Sequence, residues 1–219
     1  MSIAVATNGT TKTAVDQVIR GLVDESVASR IAAKDFRLWG KDAESESSVR
    51  LGWVTSAIDS EPLVNSILEL RTYFNSQGVD RFVLCGMGGS SLAPEVITNT
   101  SGVNLVVLDS TNPDQVSKAL AGDLLKTAVI VSSKSGSTVE TDSQKRLFEQ
   151  AFSNAGIDKT DRIVIVTDPG SPMEVAAKAD GFRVFNADPT VGGRYSALTA
   201  FGLVPSGLAG ADIANLDRK

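Results

Sequence analysis

Apolar positions change their period near residue 80. Before it, Val15, Val18, Ile19, Leu22, Val23 and Val27 return at the spacing of one helix face, and Thr13 with Asp16 three residues on has the form of a capping box. The pattern predicts an amphipathic helix there. The stretch 42–48 is charged and Ser-rich without an apolar period, which reads as a solvated connection flanked by anchors at Phe36, Leu38, Trp39, Leu51 and Trp53. A second helix is expected from about Ser60, with Pro62 in its first turn, Leu63, Ile67, Leu70 and Phe74 along its buried stripe, and Gly78 as its stop.

After Asp80 short apolar runs alternate with turn clusters and helical periods. The runs are 81–85, 104–108, 128–132, 162–166 and 182–185. Fully apolar strands followed by helices predict an α/β fold whose parallel sheet is covered on both faces. Asn112-Pro113 and Ser171-Pro172 mark two helix starts, each a capping side chain followed by Pro at the first helical position. The expected division is a helical N-terminal segment, 1–79, followed by a sheet domain, 80–219. In such a sheet ligands lie beyond the carboxyl ends of the strands, because the following helices aim their N-termini there, so chemistry is to be sought in the turns after strands.

Composition narrows the chemistry. The chain has 219 residues, 21 Lys and Arg against 26 Asp and Glu, one Cys and no His. A chain of this length can bury a core without disulfides or zinc. The net charge of -5 argues against a nucleic-acid surface or an anionic membrane surface, both of which need clustered cations. Without histidine the chain by itself has no Ser-His-Asp or Cys-His machinery and no imidazole metal site. Cys85 follows Phe82-Val83-Leu84 and reads as a packed strand residue. The first eight residues lack a basic and then apolar leader pattern, and no run approaches the roughly 18 apolar residues of a membrane span. A cytoplasmic, reduced location is expected.

Three turns after strands carry candidate chemistry. The first, Gly86-Met87-Gly88-Gly89-Ser90-Ser91, lets backbone N–H groups approach an oxygen-rich ligand at a helix N-terminus. Alone it also reads as a tight ligand-free turn, or, with Asp109 after the second strand, as a near-match to a dinucleotide fingerprint whose third glycine is replaced by Ser91. The second, 132–141, brings four hydroxyls, Lys134 and Gly136 to a helix start, which suits a phosphate monoester; the plainer reading is helix capping with Lys134 in solvent. The third, 188–196, holds Arg194 just past Gly192 and Gly193, where a guanidinium can stabilise developing negative charge or simply face water. Asp168-Pro169-Gly170 also follows a strand and could approach a ligand there, but reads more simply as a plain turn.

Taken in order, GMGGS at 86–90, SKSGSTVET at 133–141 and GGRYS at 192–196 resemble the sugar-isomerase (SIS) fold and, more closely, the N-terminal half of the glucose-6-phosphate isomerase family. The resemblance implies a three-layer αβα fold with a mostly parallel five-stranded sheet, residues 80–219 being the first of two such domains in a full-length protein. It implies that Ser133, Lys134, Ser135 and Thr138 hold the phosphate of a phosphorylated hexose. Gly89, Ser90 and Gly193 would lie against the sugar, with Arg194 as the catalytic residue beside the reacting carbons. Ser135-Gly136 departs from the usual isomerase pair and matches the general SIS pattern. The implied reaction is a glycolytic and gluconeogenic one: glucose 6-phosphate and fructose 6-phosphate interconvert by proton transfer between C1 and C2 through a cis-enediolate, with no metal or organic cofactor, in a homodimer when full length. The family's base, histidine and lysine belong to its later half, so the resemblance implies an N-terminal portion inactive by itself. A stand-alone sugar-phosphate sensor, a bifunctional phosphoglucose/phosphomannose isomerase and, on Gly86, Gly88 and Asp109, a nicotinamide-dependent oxidoreductase are the other readings.

Overall fold

Residues 6–218 are described by the computed structural model; residues 1–5, on which most of the leader reading falls, and Lys219 lie outside the described residues. Helix α1 spans Gly9–Asp24 and α2 Val27–Ala32. The helix expected here forms, but it starts at Gly9, one turn before Thr13, and neither Thr13 nor Asn8 caps it with a side chain. Its apolar stripe is uncovered: Val18 is 62% and Val23 69% exposed. The stretch read as a solvated connection is instead a 3-10 turn, Lys41–Ala43, followed by α3, Glu44–Ser47. Ser47 explains the difference, because its buried hydroxyl donates to the carbonyls of Phe36 and Ala43, both at 2.9 Å, and folds the segment on itself. After the short α4 (Ser56–Asp59), α5 (Glu61–Ser76) runs as its pattern predicts, burying Ile67, Leu70 and Phe74, and Gly78 beyond it turns at φ +74°.

The five apolar runs become β1 (Arg81–Gly86), β2 (Val106–Leu108), β3 (Thr127–Ser133), β4 (Ile163–Thr167) and β5 (Arg183–Asn186). They pair in the order β2-β1-β3-β4-β5, and the sheet expected to be mostly parallel is parallel throughout. Connections of this kind need crossover helices. These are α6 (Gly89–Ser101), α7 (Pro113–Leu120), α8 (Val139–Asn154) and α9 (Pro172–Ala179), and α10 (Ala200–Ala209) follows β5. Both predicted caps are present: Asn112 accepts from the Asp114 N–H at 2.9 Å and Ser171 from the Glu174 N–H at 3.1 Å.

Side chains alternate between the two faces of each strand. Phe82 and Leu84 of β1, Ala128 and Ile130 of β3, and Val164 and Val166 of β4 pack with Ile67 and Phe74 of α5 and Phe201 and Val204 of α10. Val83 and Cys85, Val129 and Val131, and Ile163 and Ile165 face the other way, onto Phe148 and Phe152 of α8 and Met173 and Ala177 of α9. The result is the three-layer αβα arrangement, with α5 contributing to one layer. The chain leaves β1 for β2 on one side and returns to β3 on the other, so the order of strand addition reverses between β1 and β3. The ends of those two strands flank the crevice where such sheets bind ligands. Among the described residues no helix is long and apolar enough to cross a membrane.

Candidate functional site

The first turn is built for close approach. Gly88 sits at φ +56° and caps α6, whose first turn includes Gly89 and the buried Ser90. A Cβ on Gly89 would stand 2.4 Å from the carbonyl oxygen of Gly193 and 2.7 Å from its carbonyl carbon. Only a residue without a side chain lets the third turn lie directly on the first.

The second turn leaves β3 at Ser133, whose buried hydroxyl donates to Thr138 Oγ1 at 3.1 Å. Ser135 Oγ accepts from the Ser137 N–H at 3.2 Å and lies 3.0 Å from the Ser137 hydroxyl. The Ser-Gly pair that departs from the isomerase pattern has a local reason. Gly136 sits at φ +68°, and a Cβ there would come within 2.9 Å of Ser171 Cβ and 3.0 Å of the Met173 N. Helix capping does not account for the hydroxyls, because Thr138, at the N-cap of α8, makes no side-chain capping bond.

Lys134 is not in solvent either. Its Nζ lies 2.6 Å from Asp168 Oδ2 and donates at 3.5 Å to the Asp188 carbonyl. Asp168, read from sequence as part of a plain turn, is therefore the partner of the site's lysine. Burial pushes its carboxyl above the ordinary value, aided by the Asp188 charge and opposed by Lys134 and Arg50. Its Oδ1 is buried and has no hydrogen-bond partner among the described residues.

The third turn passes from β5 through a 3-10 segment, Gly193–Leu198, in which the Ser196 hydroxyl donates to the Gly193 carbonyl at 2.7 Å. Helix α10 begins at Ala200, where the Thr199 hydroxyl caps it by accepting from the Phe201 N–H at 3.3 Å. Arg194 is exposed.

Two adjoining clefts lie at these strand ends. The smaller, about 440 Å³, is lined by Arg50, Met87, Gly89, Ser90, Lys134, Ser135, Thr138, Asp168 and Gly193. Six of the eight sequence-predicted site residues thus face one space. Ser133 stands behind Thr138 and does not line it, and Arg194 lines the larger cleft, about 570 Å³, beside Trp39, Leu51, Trp53 and Tyr195. Arg50, Gly89 and Gly193 line both.

Sequence reasoning missed Arg50, the pairing of Asp168 with Lys134, and the aromatic pair Trp53–Tyr195, whose rings stack at 5.9 Å. Arg50 arrives because Leu51 bridges Val191, the Gly52 N–H donates to the Thr190 carbonyl at 3.2 Å, and Arg50 Nη1 donates to the Pro189 carbonyl at 2.7 Å. Neutral hydroxyls, helix-start N–H groups and two cations around one cleft can hold an oxyanion ester, and an arginine next to it can stabilise negative charge developing on the ester's carbon skeleton.

The family model for phosphoglucose isomerase matches residues 72–213. The chain belongs to the phosphoglucose isomerase family. Within that family it is 38% identical over 184 residues to a glucose-6-phosphate isomerase of Thermus thermophilus, an alignment covering 81% of this chain and 43% of that protein. It is 36% identical over 138 residues to a probable glucose-6-phosphate isomerase of Haloarcula marismortui, covering 61% of this chain and 32% of that one. A hypothetical protein of Thermus thermophilus superposes with a TM-score of 0.69 at 32% identity, over 89% of this chain and 46% of that one. A glucose-6-phosphate isomerase from Chlamydia trachomatis gives 0.60 at 26% identity, over 80% and 34%. The chain therefore spans less than half the length of these relatives.

Proposed function

We propose that this chain provides the phosphate-binding and arginine-bearing part of a glucose-6-phosphate isomerase site, for the interconversion of glucose 6-phosphate and fructose 6-phosphate. The observation that carries the reading is the convergence of Gly89, Ser90, Lys134, Ser135, Thr138 and Gly193, from three turns widely separated in sequence, on one cleft. In this reading Lys134, Ser135, Thr138 and the first N–H groups of α8 hold the phosphate, with Ser133 fixing Thr138. Gly89, Ser90 and Gly193 let the sugar approach the backbone. Arg194 faces the carbons that exchange the proton and lowers the energy of the enediolate's negative charge.

The base is a separate matter. Glu95 and Glu140 line neither cleft; of the two carboxylates that do, Asp168 is committed to Lys134, and Glu46 lies 3.5 Å from Arg50 with its side chain 78% exposed. In this reading the base and the ring-opening groups are supplied by residues outside these 219, in a longer or dimeric enzyme, and the chain alone binds without turnover.

The test is the thermal shift of the 219-residue chain with glucose 6-phosphate, fructose 6-phosphate, glucose, inorganic phosphate and NAD in parallel. A ligand at 100 times its Kd adds about 2.7 kcal/mol of stability. Stabilisation by both phosphosugars beyond inorganic phosphate is expected. Selective stabilisation by NAD, or no advantage of the phosphosugars over phosphate, overturns the reading.

A further inference from the structure

We infer that Arg50, delivered from the N-terminal segment, is a second anion-binding residue of the smaller cleft and sets its preference for a phosphorylated over an unphosphorylated ligand. The inference rests on the phosphosugar reading above and assigns a residue that none of the three motifs contains.

Lys134, the cation expected to meet the phosphate, lies 2.6 Å from Asp168, so the pair brings almost no net charge to the cleft. Asp188, from the third turn, also acts on Asp168 and adds a second negative charge nearby. A dianionic phosphate ester placed there would meet hydroxyls and N–H groups but no net positive field. Arg50 changes that balance. It lines the cleft with Lys134, Ser135 and Thr138, and its charge is felt at Asp168. Its own acidic neighbour, Glu46, is a loose one: Nε stands 3.5 Å from a carboxylate whose side chain is 78% exposed, a pairing that solvent screens heavily.

The side chain is also held in place. Nη1 donates to the Pro189 carbonyl at 2.7 Å, while the adjoining Leu51 and Gly52 are bonded to Val191 and Thr190. A guanidinium has five donors, and one bond to a carbonyl plus one loose contact leaves donors for an oxyanion. Preorganisation of this kind lowers the entropy cost that a flexible surface arginine pays on binding.

The experiment compares fructose 6-phosphate binding, by calorimetry on the 219-residue chain, for the wild type, Arg50→Gln, Arg50→Lys and Thr138→Ala. Charge-assisted hydrogen bonds set the scale, so Arg50→Gln is expected to raise Kd roughly tenfold or more, with Arg50→Lys recovering part of the loss and both variants keeping the wild-type melting temperature. Wild-type affinity in Arg50→Gln overturns the inference, and a loss confined to Thr138→Ala then leaves the phosphosugar reading standing. Equal losses in both Arg50 variants, together with lowered melting temperatures, reduce the residue to an anchor of the 188–191 turn and also overturn it. Absence of binding by the wild type removes the reading and the inference together. Should Arg50→Gln fail to fold, phenylglyoxal labelling of the wild type gives the same answer by mass spectrometry: fructose 6-phosphate, and not fructose, should protect Arg50, and equal labelling with and without the ester refutes the contact.

Discussion

Replacing Gly89 with alanine tests how the first and third turns meet. The added Cβ would stand 2.4 Å from the Gly193 carbonyl oxygen, 2.7 Å from its carbonyl carbon and 3.4 Å from the Arg194 N. All three are backbone atoms, so no rotamer change relieves the clash. The third turn must retreat by about 1 Å to restore van der Waals contact. Overpacking of this kind costs about 1–3 kcal/mol. For a chain of this size each kcal/mol lowers Tm by roughly 2–4 °C, which predicts a fall of roughly 2–12 °C. The retreat also has a functional arm, because Gly193 lines both clefts and Arg194 the larger one. Phosphate-ester affinity is therefore expected to fall well beyond the change in a control of similar steric insult. Gly207→Ala is that control: its Cβ would meet Ile213 Cδ1 at 2.6 Å and Ile67 Cγ2 at 2.7 Å, inside the core against α5. Differential scanning calorimetry and isothermal titration read the two arms. A Gly89→Ala protein with wild-type Tm and affinity refutes the close approach. Equal affinity in the two variants refutes the link from that approach to the cleft.

Three further outcomes follow from the electrostatics and burial. Lys134→Ala strands the carboxylate of Asp168 in a setting where the two side chains are only 23% and 17% exposed, so a cost of about 2–4 kcal/mol in urea unfolding is expected, with Asp168→Asn restoring much of it in the double variant; strict additivity of the two single changes argues against coupling. Glu174 is held at about 2 by Lys178 and the Gly170 N–H, below the ordinary 4.5. A depressed carboxylate stabilises the fold above its unfolded value, and that contribution is lost as pH falls from about 4.5 through about 2. Glu174→Gln should therefore flatten the acid side of the stability curve, and an unchanged acid profile refutes this. Cys85 is fully buried, and burial pushes its thiol well above the usual range, so a thiol reagent should label it only on unfolding. Stoichiometric labelling of the native protein at pH 8 contradicts the packing.

The strands were legible because each is apolar on both faces, a pattern that only a covered sheet satisfies, and the caps at Asn112 and Ser171 were legible because capping is a contact between near neighbours in sequence. The same kind of reasoning failed at Thr13. A hydroxyl followed by an acid has the form of a cap wherever it stands, and here α1 had already begun at Gly9. Helical periodicity at Val18 and Val23 also did not imply burial, since period reports that one face is apolar and says nothing of what covers it.

The candidate site divides along the same line. Gly89, Ser90, Lys134, Ser135 and Thr138 follow strand ends, and strand ends can be located from apolar runs. Lys134 could be placed but its state could not, because Asp168 lies 34 residues further on, at the end of the neighbouring strand. Arg50 had no local signal of any kind. Its contact to the Pro189 carbonyl spans 139 residues, and nothing in the spacing of 42–50 distinguishes this arginine from the other charges around it. The one residue nearby that carried a trace is Gly52, where a Cβ would stand 2.1 Å from Thr190 Oγ1 and 2.9 Å from Val191 Cγ2. Its φ is not positive, so this glycine serves packing rather than a turn, and a pattern search that reads glycine as turn chemistry passes over it. The missing Cβ lets the segment before α4 lie against the 188–191 turn, which holds the Arg50 guanidinium at the rim of the cleft. The charge at the cleft is thus set jointly by the second motif and by a segment with no motif at all.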